Sequence, residues 1–530
     1  MIIKDNLGTH KVLITTAGIG SRLEKHTKYL NKSLVSINNK PIISHIFEQF
    51  DSDTEYVIAL GYKGKIVKDF IELCYPEKSI IFCDVDPYLG KGSGLGKTFL
   101  SCQQYLQEPF IFSSCDTLVD AKIPSPENNW MGYSVINDNK FSYRTILKKG
   151  KLVSEIKEKG EDNSPQKSAY IGLAGIKDID IFWEAMVKGG TKAIDQGESY
   201  GLKELISYGI DAIPFDWTDT GTVENLIKAR SKYTDSQSPN ILEKENESIW
   251  FVGDQVIKFS DDKKFIKNRV LRSQKLKQYV PEVQGGFENL YSYKFVSGRV
   301  LPEIINLNIF KKLLKVCKDF WDVEKLNHDD KKTFNLACKS FYKKKSLERI
   351  NIFYQKLKKE DSELVINGDI VPKLSEMFKS IDWEWLCQGL PGRFHGDFHF
   401  ENIIYNSQDN KFIFLDWRQE FAGNLEIGDI YYDFAKLLHG LIINHQIISN
   451  NQYKVSWNDN KLNYEFLRRE ILVECENYFY SWLKANNYDI KKTKLLTSLI
   501  FINIAPLHHF PYSQLLYALG VSMLYKNLQK

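Results

Sequence analysis

Short blocks of β-branched and aromatic residues recur through residues 1–233, and the stretches between them have helical spacing. Lys11–Thr16 (KVLITT), Tyr56–Leu60 (YVIAL), Ser79–Asp84 (SIIFCD) and Pro109–Ser113 (PFIFS) each suit one buried strand. Between them, stretches such as Ile42–Phe50 gather apolar side chains on one helical face. Strands spaced by helices cross over right-handedly, which predicts an α/β domain with a mostly parallel, Rossmann-like sheet. Such a sheet binds ligands at the C-terminal ends of its strands.

The pattern changes after a polar stretch, residues 234–248 (TDSQSPNILEKENES), which reads as a linker. Ile249–Phe251 and Gln255–Phe259 read as a hairpin turning at Gly253–Asp254, and a strand follows near Tyr291–Val296. From Pro302 onward Trp, Phe, Tyr and Leu recur at helix spacing. A small sheet followed by a large helical lobe predicts a second, α+β domain over residues 249–530. Its most apolar tract, Leu495–Tyr525, is broken by Pro506, His508, His509 and Pro511, so it reads as buried helices and no membrane partner is expected. Lys+Arg number 71 against 67 Asp+Glu, which gives no whole-chain case for a nucleic-acid partner. The eight cysteines are scattered, with no zinc-like or redox-pair spacing, and no leader pattern precedes Lys11. A reduced, cytoplasmic protein is the expectation.

Strand KVLITT runs into Ala17-Gly18-Ile19-Gly20-Ser21-Arg22. Glycines let the backbone pass close to a phosphate, and Arg22 and Lys32 add fixed positive charge; the plain alternative is an ordinary tight turn. Asp116 ends an apolar strand, where a carboxylate is well placed to hold Mg²⁺. Glu158-Lys159 follows another strand-like run, and Asp219-Thr220-Gly221-Thr222 sets a second carboxylate beside a turn. Each alone reads equally well as a solvated side chain. Their occurrence together, in this order, is harder to explain that way.

The run AGIGSRL…NKSLVSINNKPII resembles the signature of sugar-phosphate nucleotidyltransferases, a family with phosphocholine cytidylyltransferase-like members; the resemblance covers residues 9–230. It implies that Ala17, Gly18, Gly20, Ser21 and Arg22 hold a nucleoside triphosphate and that Lys32 contacts its phosphates. It further implies that Asp116 and Asp219 carry Mg²⁺, while Glu158, Lys159 and Gly172 bind the sugar phosphate. The family usually has Pro before the signature lysine. Here that residue is Asn31, and a looser loop is expected. The implied reaction is attack of a phosphate oxygen on the α-phosphorus of an NTP, with loss of pyrophosphate. Two anions must meet, so Arg22, Lys32 and the metal matter more than a base. Gly92–Thr98 (GSGLGKT) imitates a Walker A loop, but Lys91 stands where that pattern needs Gly; it reads instead as an active-site loop touching base or sugar, the plain alternative being an ordinary turn before a helix.

A second constellation lies at residues 394–402 (FHGDFHFEN) and 412–417 (FIFLDW). An Asp base, an Asn ligand five residues on and a strand-end Asp are the parts of kinase-type phosphoryl transfer: Asp397 for the hydroxyl, Asn402 and Asp416 for Mg²⁺. The pattern resembles the aminoglycoside phosphotransferase and choline kinase superfamily over residues 247–530, as does Gly428-Asp429 with Tyr432–Ala435. The resemblance implies a protein-kinase-like fold, ATP as partner and Lys258 as its phosphate-pairing lysine. The helix that follows, KKFIKNRVLRSQKLKQ, offers that lysine no acid. His395 and His399 have zinc-like spacing but read as a structural residue and a loop-lining residue.

A kinase fused to a nucleotidyltransferase suggests consecutive steps. The expected product is an NDP-activated sugar or polyol for surface polysaccharide, with CTP favoured by the kinase type. Alternatives are a choline kinase/phosphocholine cytidylyltransferase making CDP-choline, an inactive kinase-like binding or regulatory domain, and antibiotic phosphorylation. Homo-oligomerisation is left open.

Overall fold

The computed structural model describes residues 10–137, 142–234 and 244–529. Two compact units emerge: Met1–Lys263 with Gln284–Phe295, and Lys264–Val283 with Val296–Lys530.

In the first unit, β1 (Lys11–Thr15), α1 (Ile42–Phe47), β2 (Glu55–Leu60), α2 (Gly64–Cys74), β3 (Ile80–Asp84), α3 (Leu95–Cys102) and β4 (Phe110–Ser114) follow one another. The four strands pair in parallel in the order β3-β2-β1-β4. Sequence order reverses between β1 and β4, so a crevice opens where these two strands end. Val12, Ile14 and Ile58 enter one core and Leu13, Val57 and Ala59 the other. Burial on both faces is why these strands read as unbroken apolar runs.

Beyond β4 the sheet becomes mixed. The chain continues through β5 (Thr117–Val119), β6 (Trp130–Ile136), β7 (Thr145–Lys149), β8 (Leu152–Lys157), β9 (Lys167–Ile176), β10 (Asp211–Pro214) and β11 (Trp217–Asp219). The nine-stranded order is β3-β2-β1-β4-β9-β6-β10-β8-β7, with β9 antiparallel to β4 and β6. Between Thr117 and Ile176 no α-helix intervenes among the described residues, so neighbouring strands double back instead of crossing over. The pair β5 and β11 forms a separate antiparallel ribbon with Asp219 opposite Thr117. Helices α4 (Ile179–Gly189), α5 (Glu198–Leu205) and α6 (Val223–Lys232) complete this part.

Residues 235–243 of the expected linker lie outside the described residues. Next come β12 (Glu247–Val252) and β13 (Gln255–Ser260), joined by the two-residue turn Gly253-Asp254, and β14 (Leu290–Lys294) pairs antiparallel with β13. This small sheet shares a core with the first unit: Trp250, Ile257, Phe259 and Leu290 cluster with Ile37 and Phe70. The Trp250 ring meets Phe70 edge-on at 5.3 Å, and its Nε1 donates to Ser36 Oγ at 2.9 Å.

The second unit contains α7 (Lys263–Leu276), α8 (Leu307–Phe320), α9 (His328–Lys339), a π turn at Ser340–Lys344 and α10 (Lys345–Leu357). Then follow β15 (Leu364–Ile366), β16 (Asp369–Val371), β17 (Ile403–Asn406), β18 (Lys411–Phe414), α11 (Ile430–Ile442), β19 (Tyr453–Asn458), β20 (Lys461–Phe466), α12 (Glu470–Ala485), α13 (Ile490–Ile504) and α14 (Tyr512–Leu528). The sheet β16-β15-β20-β19 was not evident in a tract read as helical. Its strands are short, and β19 alternates half-buried with exposed residues. The apolar tract forms α13 and α14, whose side chains are buried on almost every face. Among the described residues no helix is long and apolar enough to cross a membrane.

Candidate functional site

The crevice beside β1 and β4 holds a cavity of about 380 Å³, lined among others by Ala17, Gly18, Arg22, Lys32, Asp116, Lys159, Gly172 and Asp219. Residues more than 200 positions apart in the chain therefore meet here. The ribbon β5–β11 does this: Thr220 donates its backbone N–H (3.0 Å) and its hydroxyl (3.1 Å) to the Asp116 carbonyl. Gly221 completes the approach. A Cβ there would sit 3.0 Å from Asp116 Oδ2, 3.1 Å from Asp219 Oδ1 and 3.3 Å from the Arg22 guanidinium. The missing side chain thus leaves a cradle between two carboxylate oxygens and a cation.

Lys32 Nζ donates to Asp116 Oδ2 at 3.2 Å, and Arg22 lies 4.0 Å from the same oxygen. Burial would raise the Asp116 pKa, but Lys32, Ser114 and Arg22 outweigh it and hold it below the usual carboxylate range. Burial likewise opposes the Lys32 charge, yet Asp116 and the Cys115 thiol raise its pKa. Both stay ionised at neutral pH. Asp219 accepts from Tyr143 Oη (2.7 Å), from the Gly221 N–H (2.8 Å) and from Asn225. Gly172 takes φ +73° within β9, and a Cβ there would press to 2.9 Å from Ser114 Cβ; glycine lets the two strands close on the site.

Asn31 does the opposite of loosening its loop. It is fully buried, caps the 3₁₀ turn Lys32–Leu34, donates to the Thr16 (2.8 Å) and Tyr62 (2.6 Å) carbonyls, and accepts from Ser33 N–H and Oγ at 2.9 Å. A side-chain amide supplies the rigidity that Pro would supply through its ring.

Gly20 (φ +69°) precedes the turn that begins at Ser21; neither residue is among those lining the cavity. Glu158 is not among them either. One of its oxygens accepts from Arg144 Nε (2.7 Å), the other from Lys203 Nζ (2.7 Å) and Ser199 Oγ (3.1 Å). It therefore anchors Arg144, while Lys159 lines the cavity, its pKa lowered by burial and by Arg22 and Arg144. Sequence reasoning missed Tyr143, Arg144, Glu198 and Trp217 on the cavity wall. No motif marks them; only the folded sheet brings them in. The Gly92–Thr98 segment contributes Ser93, Gly94, Leu95 and Thr98 to the same wall.

In the second unit, the chain preceding β17 carries Asp397 and Asn402. Leu415 N–H donates to the Asn402 carbonyl at 2.7 Å, which sets Asn402 beside the strand end that bears Asp416. Asn402 Nδ2 donates to the Asp397 carbonyl (3.0 Å) and faces His399 Nε2 (3.2 Å). Asp416 has left-handed backbone (φ 55°) and accepts from Arg269 of α7 at 3.1 Å. Asp397 pairs with Lys436 Nζ (2.7 Å) and His399 (3.6 Å). Burial opposes the Asp397 charge, but Lys436 and His399 hold its pKa well below normal. His399 is burdened by burial, yet Asp397 and Glu401 push it up to about 9. His395 is buried and lowered to about 3, chiefly by burial; its Nδ1 accepts from the Asp397 N–H at 3.2 Å, a structural role.

Asp433 and Arg272 hold this loop. Asp433 accepts from the backbone N–H groups of His395 (2.6 Å) and Gly396 (2.7 Å) and from Trp321 Nε1 (3.1 Å). Arg272 is buried and donates to the carbonyls of Phe394, Arg418 and Leu425. Lys258, in the first unit, is buried at mid-β13 opposite Ile249 and Tyr291.

Among the described residues no cluster of three or more His, Cys, Asp or Glu side chains gathers as a metal-ligand set. Mg²⁺ needs less, since it uses one or two carboxylates and fills its shell with phosphate oxygens and water. The Gly221 cradle fits that demand, and Asp116 and Asp219 are the residues that would hold the ion there. Asn402 and Asp416 would be the corresponding pair in the second unit.

Residues 358–468 match the family model described as the phosphotransferase enzyme family. The N-terminal half matches curated proteins. "Bifunctional protein GlmU" of Methanococcus vannielii is 23% identical over 257 residues, 46% of this chain and 60% of that protein. "Probable glucose-1-phosphate cytidylyltransferase" of Bacillus subtilis is 36% identical over 62 residues, 11% of this chain and 24% of that protein. The chain therefore spans less than two thirds of these relatives. Among solved structures, the CTP:phosphocholine cytidylyltransferase from Streptococcus pneumoniae is 16% identical, covers 43% of this chain and 100% of its own, and has a TM-score of 0.37. A segment of the C-terminal half thus matches the phosphotransferase enzyme family model, and the N-terminal half resembles nucleotidyltransferases.

Proposed function

We propose that the N-terminal domain, residues 1–233, transfers a nucleotidyl group from an NTP to a sugar or polyol phosphate, and that residues 249–530 phosphorylate the precursor alcohol with ATP. The observation that carries the first half is the convergence of Asp116 Oδ2, Asp219 Oδ1 and Arg22 on the space beside Gly221, with Lys32 on the same carboxylate. When bound there, Mg²⁺ supplies charge neutralisation at the α-phosphate. Lys32, Arg22 and Lys159 lower the repulsion between the two phosphates and orient the acceptor oxygen for in-line attack. A P–O bond forms to the α-phosphorus, the α–β bridge breaks, and pyrophosphate carries away the electron pair; no side-chain nucleophile is used. CTP as donor, a cytoplasmic setting and a building block for surface polysaccharide belong to this reading.

A second reading, phosphocholine as acceptor, rests on one observation. Tyr143 and Trp217 meet edge-on at 5.1 Å on the cavity wall, beside Asp219 and Glu198, and aromatic faces with acids suit a quaternary ammonium.

The test is pyrophosphate release by the full chain from each of four NTPs with sugar 1-phosphates, polyol phosphates and phosphocholine. A sugar or polyol phosphate is expected to be the best acceptor, with loss of release in Asp116→Asn and Asp219→Asn and retention of ATP consumption. Release at the wild-type rate from either variant would refute the site, and preference for phosphocholine would replace the first reading by the second.

A further inference from the structure

Asp397 pairs with one lysine, and two further cations gather over the Phe341 ring. Lys436 Nζ lies 2.7 Å from Asp397 Oδ1. Lys345 and the Arg418 guanidinium both sit over the ring of Phe341, 4.5 and 4.8 Å from its centroid. Arg418 is tied to the Asp397 loop, since its backbone N–H donates to the His395 carbonyl at 2.9 Å. Arg349 lies one helical turn beyond Lys345 on α10. Burial, then Arg418, Lys436 and Arg349, depress the Lys345 pKa to about 7, against which Asp397 counts last. The other nearby acids are engaged elsewhere: Glu401 faces His399 Nδ1 at 2.9 Å, and Glu420 accepts from Asn268 at 3.1 Å.

One carboxylate does not balance four cations. Half-buried like charges repel at a cost that a bound anion removes. The backbone points the same way. A π turn, Ser340–Lys344, interrupts the helical path between α9 and α10 immediately before Lys345, and such turns concentrate at functional sites. Three of the four cations come from helices, Lys345 and Arg349 from α10 and Lys436 from α11, whereas Arg418 follows β18 two residues after Asp416.

Resting on the kinase reading of the second half, we propose that Lys345, Arg349, Arg418 and Lys436 form an acceptor subsite for an anionic group. The alcohol phosphorylated at Asp397 already carries a phosphate ester or a carboxylate. Its hydroxyl proton passes to Asp397, the oxygen bonds to the γ-phosphorus, the β–γ bridge breaks, and ADP leaves. A quaternary ammonium acceptor such as choline meets repulsion here.

The experiment measures ADP formation by the full chain with ATP and Mg²⁺ against four classes of acceptor: neutral sugars and polyols, their phosphate esters, sugar acids, and choline. Phosphate esters or sugar acids are expected to have KM values about tenfold or more below their neutral parents, and which of the two prevails identifies the anion. Lys345→Met should raise the acceptor KM about tenfold to a hundredfold and leave the KM for ATP unmoved. Arg349→Met is read in parallel should Lys345→Met melt early. Preference for choline or a neutral polyol overturns the subsite while the kinase reading stands, as does a variant that moves the ATP KM instead. No ADP from any acceptor overturns the kinase reading and the subsite with it.

Discussion

Replacing Asn31 by Pro would install the residue usual before the signature lysine, yet the structure requires that it loosen the loop. Asn31 already has φ −71° and ψ 149°, which proline tolerates, so the backbone needs no adjustment. Proline would also restrict the unfolded chain, a gain of about 0.4–1 kcal/mol. Against this stand the bonds to Thr16 O, Tyr62 O, Ser33 N and Ser33 Oγ, all lost together. At about 1 kcal/mol each, with the buried Thr16 carbonyl and the part-buried Tyr62 carbonyl left without that donor, the loss is about 3–4 kcal/mol. The net loosening is then about 2–3 kcal/mol for Asn31→Pro and the full amount for Asn31→Ala. Amide hydrogen exchange resolved to the peptide spanning Leu30–Ile37 reads this directly: the Ser33 N–H should exchange roughly 30- to 100-fold faster in Asn31→Pro. Lys32 follows on in the same turn, so the KM for NTP should rise. Unchanged Ser33 exchange in Asn31→Ala would show that the amide does not hold this loop, and the reasoning would fail.

Further outcomes follow from the charges and the packing. Asp116 has a folded pKa depressed below its unfolded value, so its ionised form stabilises fully above the unfolded pKa and loses that effect only as pH falls through the lower folded value. Pyrophosphate release should accordingly show no acidic limb from Asp116 between about pH 5 and 8, and an NMR titration of the Asp116 carboxyl within that range would contradict the assignment. Lys436 does most to depress the Asp397 pKa, so Lys436→Met should shift the acidic limb of ADP formation to higher pH; an unmoved limb would count against the pair. His399 is raised to about 9, so its charge stabilises fully below its unfolded pKa and the effect is lost as pH rises through 9; an NMR titration midpoint near the ordinary histidine value would refute the Asp397–His399–Glu401 linkage. Trp250→Ala should destabilise the first unit by about 3–5 kcal/mol, measured by urea unfolding; a loss confined to the second unit would disprove the shared core.

Much of this was legible before folding. Apolar runs revealed β1 to β4, and Gly253-Asp254 revealed the hairpin to the residue. Asp116 was legible as a carboxylate ending an apolar strand and Asp219 as a carboxylate beside a turn, and both line the cavity. The antiparallel half of the first sheet was not, since strands without intervening helices leave no period to read. Glu158 illustrates a different limit: its motif says that an acid is present, but only the positions of Arg144, Lys203 and Ser199 show what that acid holds. Lys345 carries no local signal, being one more lysine on the amphipathic α10. Lys436 is the one residue of α11 that is not buried, and only the fold sets it 2.7 Å from Asp397.

The apolar seam between the hairpin strands and the N-terminal fold bears on how such a chain can be inherited. A recombination event at the polar stretch would strip Trp250, Ile257, Phe259 and Leu290 from Phe70 and Ile37, leaving oily surface on both products. Exchange of one half for another is therefore tolerated only where the breakpoint lies beyond that seam.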